Sequence, residues 1–580
     1  VLLFLLIMMS LPLQLPSAVL VAIVSVLSAV FILVAFRHRR IDTAIRRCDA
    51  WMRMKRSQVA RRRIDWDNLP EAMPIAVDAS HPFAADIDLF GASGLHRLLD
   101  ISVSNEGSRK LAQWLTDPNP DMDTIRERQN CIRDLARQSH FREHLVVEFS
   151  LVSKEKLDGT SFTNWLSNDE LPASLRVALP VSLLLSVGNI AMFVLYGLNL
   201  LPPYFLLGLA AYAIVAIAYM HVRNTFLDAA ITLDDELGRL NVVFRFLEEY
   251  PVRAGQSLST LLDPLRVEAE RPSVLIRRTR RNVLAAGLSM NPVTMVLLNV
   301  AFPWDMFFAS ALDRKRRKLA CVFPGWLDTL HRLEALQSLA NHAHLHPEYI
   351  FPDIDTSGAT LLTARALGHP LLPPASRIRN DFELGSNRDI VLITGSNMSG
   401  KSTFLRTVGI GIVMANAGGP VDASQMRIAA LRLFTCIHIS DSLRDAVSYF
   451  HAEVRRLRAL LDMLKNEADR PVVFLIDEMF RGTNTRERHV GGGAFVSKLA
   501  ELGASGLIST HDLELTKLAD IVRGVRNMHF REHIVTGDMR FDYRLREGPC
   551  PTTNALVIMR LAGLPVDEPQ PETSGMRNDE

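Results

Sequence analysis

Between Ile390 and Thr403 an apolar run, Ile-Val-Leu-Ile-Thr, passes directly into Gly395-Ser396-Asn397-Met398-Ser399-Gly400-Lys401-Ser402-Thr403, and a helical pattern follows to Ala417-Gly418-Gly419. No other feature restricts the fold as tightly. A buried strand that turns at once into a helix needs glycines in the turn, and a continuous apolar strand needs a parallel sheet around it. In such a loop the backbone N–H groups and the helix N-terminus converge on one anion. The pattern G-x-x-x-x-G-K-S therefore predicts a phosphate cradle, in which Lys401 reaches the β- and γ-phosphates of ATP and Ser402 ligates Mg²⁺.

A second strand should deliver a carboxylate to that metal. Pro471-Val-Val-Phe-Leu-Ile476-Asp477-Glu478 is an apolar run ending in two acids, about 75 residues beyond the loop. Asp477 is expected behind the Mg²⁺, and Glu478 is expected to orient and polarise the attacking water. A third run, Gly506-Leu-Ile-Ser-Thr510-His511, ends in a histidine. Strand, cradle helix, strand and helix alternate, which predicts a doubly wound, largely parallel α/β sheet of the P-loop NTPase class.

The rest of the chain has a different character. With 65 basic and 63 acidic residues, net charge offers no argument for nucleic acid. Five scattered cysteines without a CxxC pair fit neither a disulfide framework nor a zinc module. Ser17 to Phe36 is twenty residues without a charge, followed by Arg37, Arg39, Arg40, Arg46 and Arg47. That length spans a hydrocarbon core of roughly 30 Å, and the basic flank marks the cytoplasmic side. Between Arg176 and Arg223 lie 46 residues without Asp, Glu, Lys or Arg, enough for a transmembrane hairpin with a turn near Asn199 to Pro203. A third uncharged run, Asn282 to Trp304, has Arg277, Arg278, Arg280 and Arg281 before it and Arg314 to Lys318 after it. One span cannot keep both basic flanks on one side, so this run reads as a buried or interfacial segment.

These motifs resemble the ATPase domain of the MutS mismatch-repair family. That family reads G-P-N-M-G-G-K-S-T where this chain has Gly395 to Thr403, and R-G-T-S-T where it has Arg481-Gly-Thr-Asn-Thr485. The family's S-T-F-x-x-E looks like Ser448-Tyr-Phe450-His-Ala-Glu453, its T-H-x-x-E-L like Thr510-His511-Asp-Leu-Glu514-Leu515, and its H-P motif like His369-Pro370. Asn380 matches the asparagine of the nucleotide-base loop, and Ala562-Gly-Leu-Pro565 the end of the domain. Gly107 to Leu115 and Ile125 to Gln129 resemble the opening of the family's helical core. The resemblance implies a homodimer with composite ATP sites in which Ser448 reaches the nucleotide of the other subunit, and a role for His511 in sensing the γ-phosphate. It also implies binding of mismatched or branched DNA. Ser396 replaces the loop Pro, Ser399 replaces the second loop Gly, and Arg377 stands where an aromatic residue is expected to stack on adenine. The mismatch-reading domain is expected to be absent, with membrane spans in its place, and Phe141-Arg142-Glu143, although it fits that reader's F-x-E, is read as coincidence. The C-terminal dimer element is expected to be largely absent, since the chain ends soon after Pro565.

The expected organisation is an N-terminal membrane anchor (1–40), a cytoplasmic helical segment (41–176), a transmembrane hairpin (177–222), a helical core or lever region (223–350), the ATPase domain (351–565) and a disordered tail (566–580). The expected nucleotide contacts are Gly395, Ser396, Asn397, Met398, Ser399, Gly400, Lys401, Ser402, Thr403, Asn380 and Ser448. The catalytic set is Glu478, Lys401 and His511, and the metal set Ser402 and Asp477. The expected protein is a multi-pass ATPase of a bacterial inner membrane, its ATPase domain cytoplasmic and its partners lipid and, by resemblance, DNA. The rival is a membrane ATPase that moves its hairpin without DNA. An ABC-type motor needs L-S-G-G-Q between the nucleotide motifs, and Phe404 to Arg470 has none.

Overall fold

The computed structural model describes residues 17–152, 160–167, 173–218, 227, 231, 233–250, 256–267, 270–355, 360–385, 388–396, 398–437, 449–465, 470–480, 483–535 and 538–551. Helix α1 (Ser17–Arg63) runs unbroken through the first apolar segment and into its arginine-rich continuation, so the boundary expected at residue 40 falls inside one helix. Helix α2 (Asn105–Leu115) starts where the Ser104 side chain accepts from Gly107 N–H, and α3 (Met122–Arg137) where Asp121 accepts from Thr124 N–H. Each cap satisfies a backbone donor the helix itself leaves open. Helix α4 (Ser139–Val152) follows and packs on α1. In it Phe141 and Arg142 are fully buried, so Phe141 is a core residue, as the coincidental reading of F-x-E requires.

The 46-residue uncharged stretch forms α5 (Ala173–Gly197) and α6 (Phe205–Ala218), packed on each other. The turn between them lies where it was expected, with Asn199 at φ 57°. Among the described residues, α1 from Ala22 and α5 from Val177 are long and apolar enough to cross a membrane, and Phe205–Val215 is a shorter apolar helix. Helices α7 (Asp234–Glu249), α8 (Pro272–Gly287), α9 (Pro292–Ala301) and the 42-residue α10 (Trp304–Leu345) complete the helical half. Its middle is pinned by Glu334 of α10, whose carboxylate accepts Val103 N–H and Ser104 N–H at 3.0 Å each and the Ser104 hydroxyl. Burial outweighs those three donors and raises its pKa to about 7.

Beyond α10 the chain becomes a mixed α/β unit. Strands β1 (Asp353–Asp355), β2 (Thr360–Leu367), β3 (Asn380–Gly385) and β5 (Gln425–Ala429) make a four-stranded sheet in the order β1-β5-β2-β3. Strands β4 (Ile390–Thr394), β6 (Arg432–Cys436), β7 (Val472–Asp477), β8 (Ser505–Ser509), β9 (Val525–Val535) and β10 (Asp538–Glu547) make a six-stranded sheet in the order β10-β9-β4-β8-β7-β6. All its pairings are parallel except β9 with β10. Successive residues of a strand face opposite sides. Val391 and Ile393 of β4 with Val473 and Leu475 of β7 join one core, and Ile390, Leu392, Phe474 and Ile476 join another. Both faces are covered, by α11 (Lys401–Asn416) on one and by α12 (Tyr449–Lys465) and α13 (Thr485–Glu501) on the other.

The first of those cores also takes in Ile87, Leu336 and Leu339, so the helical half and the sheet share one interior. The segment after His81 crosses between them. Buried Asp86 accepts from Thr435 Oγ1 at 2.7 Å and Ile437 N–H at 3.1 Å, and Arg456 donates to the carbonyls of His81 and Pro82.

Candidate functional site

Strand β4 is central in the parallel sheet, between β9 and β8, and its C-terminal end opens into the 395–400 turn. Gly395 has φ 148° and Gly400 has φ 103°. A Cβ at Gly395 would stand 2.9 Å from the Phe530 carbonyl, and one at Gly400 3.0 Å from the Tyr543 ring. Both positions therefore demand glycine, by conformation and by contact. Met398, between them, is also left-handed, at φ 69°, and is highly exposed. Asn397 lies outside the described residues.

Helix α11 starts at Lys401, directly after the turn. The Lys401 ammonium is buried and donates to the carbonyls of Gly395 at 2.8 Å and Ser396 at 2.9 Å, which lays its charge along the loop. Ser402 donates to Asp477 Oδ2 at 2.6 Å, and Ser509 donates to Asp477 Oδ1. Ser402 and Asp477, 75 apart in sequence, thus meet at the strand ends, because β8 pairs in parallel with β4 on one side and with β7 on the other, where Asp477 stands opposite Ser509. Ser399 Oγ is buried without a hydrogen-bond partner inside the turn, and Ser396 donates to buried Glu532. Thr403 is exposed on the first turn of α11.

Glu478 follows Asp477 with φ 54°, a left-handed conformation that a glutamate adopts only under constraint. Its N–H donates to Ser509 O at 3.0 Å, and its Oε1 lies 3.4 Å from His511 Nδ1. His511 Nε2 is 3.2 Å from Arg488 Nη1. A guanidinium only donates, so Nε2 is the acceptor and the ring proton sits on Nδ1, facing Glu478. The backbone beyond is tied to α12, where buried Glu453 accepts from Phe480 N–H. Ser448 lies outside the described residues, one position before α12 begins.

Asn380 opens β3, and its amide bridges the backbone of β10, donating to Tyr543 O at 3.0 Å and accepting from Leu545 N–H at 2.8 Å. Arg377 is fully buried, donating to Asp422 Oδ2 and to the Tyr349 hydroxyl at 2.6 Å each. It is a structural anchor, with no face left for a nucleotide base. His369 nearby is buried, and burial beside Arg377 and Arg406 lowers its pKa to about 4. The neutral ring accepts from Leu371 N–H.

Three residues at this site were not anticipated. Tyr543, at a left-handed position in β10, sets its ring against Gly400, and Ser509 and Arg488 hold Asp477 and His511. Each lies far from the loop in sequence, with nothing local to mark it. Only the His511 histidine at the β8 end was a usable pointer to Arg488.

The site suits a nucleotide with its metal. A glycine cradle, a buried lysine along it and an orphaned hydroxyl inside it are groups an anion would satisfy. A hydroxyl beside a carboxylate is a donor set for Mg²⁺, which uses few protein ligands and completes its shell with phosphate oxygens and water.

Residues 391–568 match the family described as MutS domain V. The chain is 31% identical over 261 residues to the protein named DNA mismatch repair protein MutS 2 of Haloarcula marismortui, covering 41% of this chain and 27% of that one. It is 31% identical over 255 residues to DNA mismatch repair protein MutS of Natronomonas pharaonis, covering 43% and 29%. Against DNA mismatch repair protein MutS of Desulfovibrio desulfuricans the identity is 34% over 241 residues, covering 40% and 25%. The match thus spans between a quarter and a third of the length of these relatives.

Proposed function

We propose that this chain, which belongs to the MutS family through its domain V, binds and hydrolyses ATP at the 395–403 turn and is held on a membrane by its apolar helices. The observation that carries the chemistry is the 2.6 Å contact between Ser402 and Asp477, with Glu478 one residue on beside His511. In this reading the turn N–H groups and Lys401 hold the β- and γ-phosphates. Ser402 and Asp477 would hold Mg²⁺, which when bound screens charge on the phosphate oxygens. Glu478 accepts a proton from water as its oxygen bonds to the γ-phosphorus, and the bond from that phosphorus to the bridging oxygen of ADP breaks. His511, with its Nδ1 proton toward Glu478, keeps that carboxylate aimed. The exposed ring of Tyr543, whose carbonyl holds Asn380, offers the base a surface in place of the aromatic residue expected at 377.

Lys401→Ala is expected to remove most nucleotide affinity, while Glu478→Gln is expected to keep ATP bound and stop turnover. Equilibrium binding and steady-state hydrolysis on the full chain separate the two. Normal hydrolysis by Glu478→Gln would remove glutamate from its assigned role.

What hydrolysis drives has two readings. The relatives are named mismatch-repair proteins, which supports coupling to mismatched or branched DNA, through a homodimer in which Ser448 completes the partner subunit's site. The large apolar surface on α1 and α5 supports the other, an ATPase that drives a conformational change in a membrane assembly without DNA. Binding of matched, mismatched and branched duplexes by detergent-solubilised protein across a salt series distinguishes them. Structure-dependent affinity falling steeply with salt favours the first reading, and none at low salt favours the second.

A further inference from the structure

The third uncharged run has basic residues on both flanks, which a single span cannot place on one side of a bilayer. The fold removes this conflict. Helix α8 descends from Arg277, Arg278 and Arg281, the chain turns at Leu288 to Met290, α9 crosses, and α10 begins at Trp304, bent by 84° from α9. Trp304 Nε1 donates to Ala285 O at 2.8 Å, and Lys315 Nζ donates to Arg278 O at 2.6 Å. So α8 and α10 stand side by side, with the two basic runs at one level and the apolar turn at another. Arg277, Arg278, Arg281, Arg314 and Lys318 are all exposed at the basic level. The crowding has a consequence at Lys315, whose pKa is lowered by burial and then by Arg278 and Arg281. Anions placed around this ring would relieve it.

The other end is apolar and open. Leu284, Leu288, Met290, Val293 and Leu297 are each more than half exposed. Two polar side chains near the tip are turned toward each other. Asn299 and Asp305 bind each other, at 2.9 Å from Nδ2 to Oδ2, and Asp305 is buried. Phe302, Trp304, Phe307 and Phe308 pack as an aromatic cluster at the junction with α10. The tip adjoins the uncharged hairpin, since Ser182 of α5 donates to Met306 Sδ and α5 packs on both α9 and α10. From Arg281 to Leu288 a helix covers about 10 Å, and from Trp304 to Lys315 about 16 Å. One leaflet of hydrocarbon is about 15 Å deep.

We propose that the tip formed by the end of α8, α9 and the start of α10 is a re-entrant wedge seated in the cytoplasmic leaflet beside the α5–α6 hairpin, with the basic ring on anionic lipid headgroups. This rests on the membrane reading above and goes beyond it: the wedge enters and leaves on one side, and α9 lies across the leaflet at its foot. The long helix α10 then carries the wedge's position to the ATPase, because its far end packs Leu339 against the Gly419 turn that ends α11.

The test uses the full chain with its native cysteines replaced and single cysteines introduced at Leu297, Leu184 or Val490, spin-labelled in vesicles of phosphatidylethanolamine and phosphatidylglycerol. Collision with oxygen, which enriches in hydrocarbon, is compared with collision with a water-soluble nickel chelate. Labels at Leu297 and Leu184 are expected to favour oxygen several-fold relative to the label at Val490. If Leu184 favours oxygen and Leu297 matches Val490, the wedge is overturned and the membrane reading stands. If both match Val490, the membrane reading fails and the wedge with it. A membrane-impermeant maleimide then fixes sidedness in cells: Arg277→Cys and Lys318→Cys should both stay unlabelled until permeabilisation, like Val490→Cys. Labelling of only one of the two in intact cells would mean a span and overturn re-entry.

Discussion

Strand β7 and helix α5 are both apolar runs, yet they meet opposite surroundings. All of Val472 to Asp477 is buried, under helices on both faces of the sheet. In α5, Leu184 is 77% exposed, and Val187, Phe193 and Val194 are more than half exposed. Length and context separate the two. A short apolar run between a proline and two acids is covered by its own protein, whereas a helix of more than twenty uncharged residues is long enough to cross a bilayer and here leaves much of its surface bare. The polar residues follow the same division. Around β4 and β7 several are buried and paired, as Asp477 is with both Ser402 and Ser509, while Ser399 Oγ is buried without a partner. From Val177 to Gly197, α5 carries no charged residue, and its Ser182 and Ser186 are buried. The α/β unit thus rests on particular partners, whereas α5 leaves its apolar surface spread over many exposed side chains.

That contrast can be broken first at Asp477. Asp477→Ala removes the carboxylate on which Ser402 and Ser509 converge, and ATP turnover should fall by about 100-fold or more, the scale of losing one preorganised electrostatic contact. Steady-state hydrolysis measures it. The same substitution of an exposed apolar residue, Leu184→Ala, should leave turnover within about twofold, since that side chain has few protein neighbours to lose.

Next comes stability within the α/β unit. Arg377→Ala leaves Asp422 buried with only Arg379, itself partly exposed, as a cationic partner. Breaking a buried pair on one side costs about 3–5 kcal/mol, and thermal unfolding of the α/β unit should shift down accordingly. A smaller effect is expected at Glu334 in the helical half. Its pKa is raised to about 7 in the fold against 4.5 in the unfolded chain, so the folded state holds the proton more tightly between those values. Stability from this group is present below pH 4.5 and is lost as pH rises through about 7, by no more than about 3 kcal/mol. Glu334→Gln should therefore flatten the fall in melting temperature between pH 5 and pH 8 seen in the native chain, measured by scanning fluorimetry.

The sequence was legible where an element lies in one continuous stretch. The strand–turn–helix at 390–416, the acids closing β7 and the histidine following β8 each stand in one continuous stretch. The hairpin turn at Asn199 was legible because uncharged length and prolines mark it. The four-stranded sheet was not read, because β1, β2, β3 and β5 are short and pair across long separations. Arg377 was taken as a missing aromatic, whereas its meaning lies in Asp422, 45 residues away. Tyr543 had no signal of its own, since a tyrosine in a strand is ordinary until the fold sets it on Gly400. The continuity of α1 was also missed, because a change from apolar to basic composition leaves the helical backbone unaffected.

The most direct test of the whole account is ATP hydrolysis recovered with vesicles after reconstitution and flotation, comparing the native chain with Glu478→Gln. The account predicts that both float, that both bind ATP, and that only the native chain turns it over. Activity left at the bottom of the gradient with vesicles free of protein, or equal turnover by the two floated chains, would contradict it.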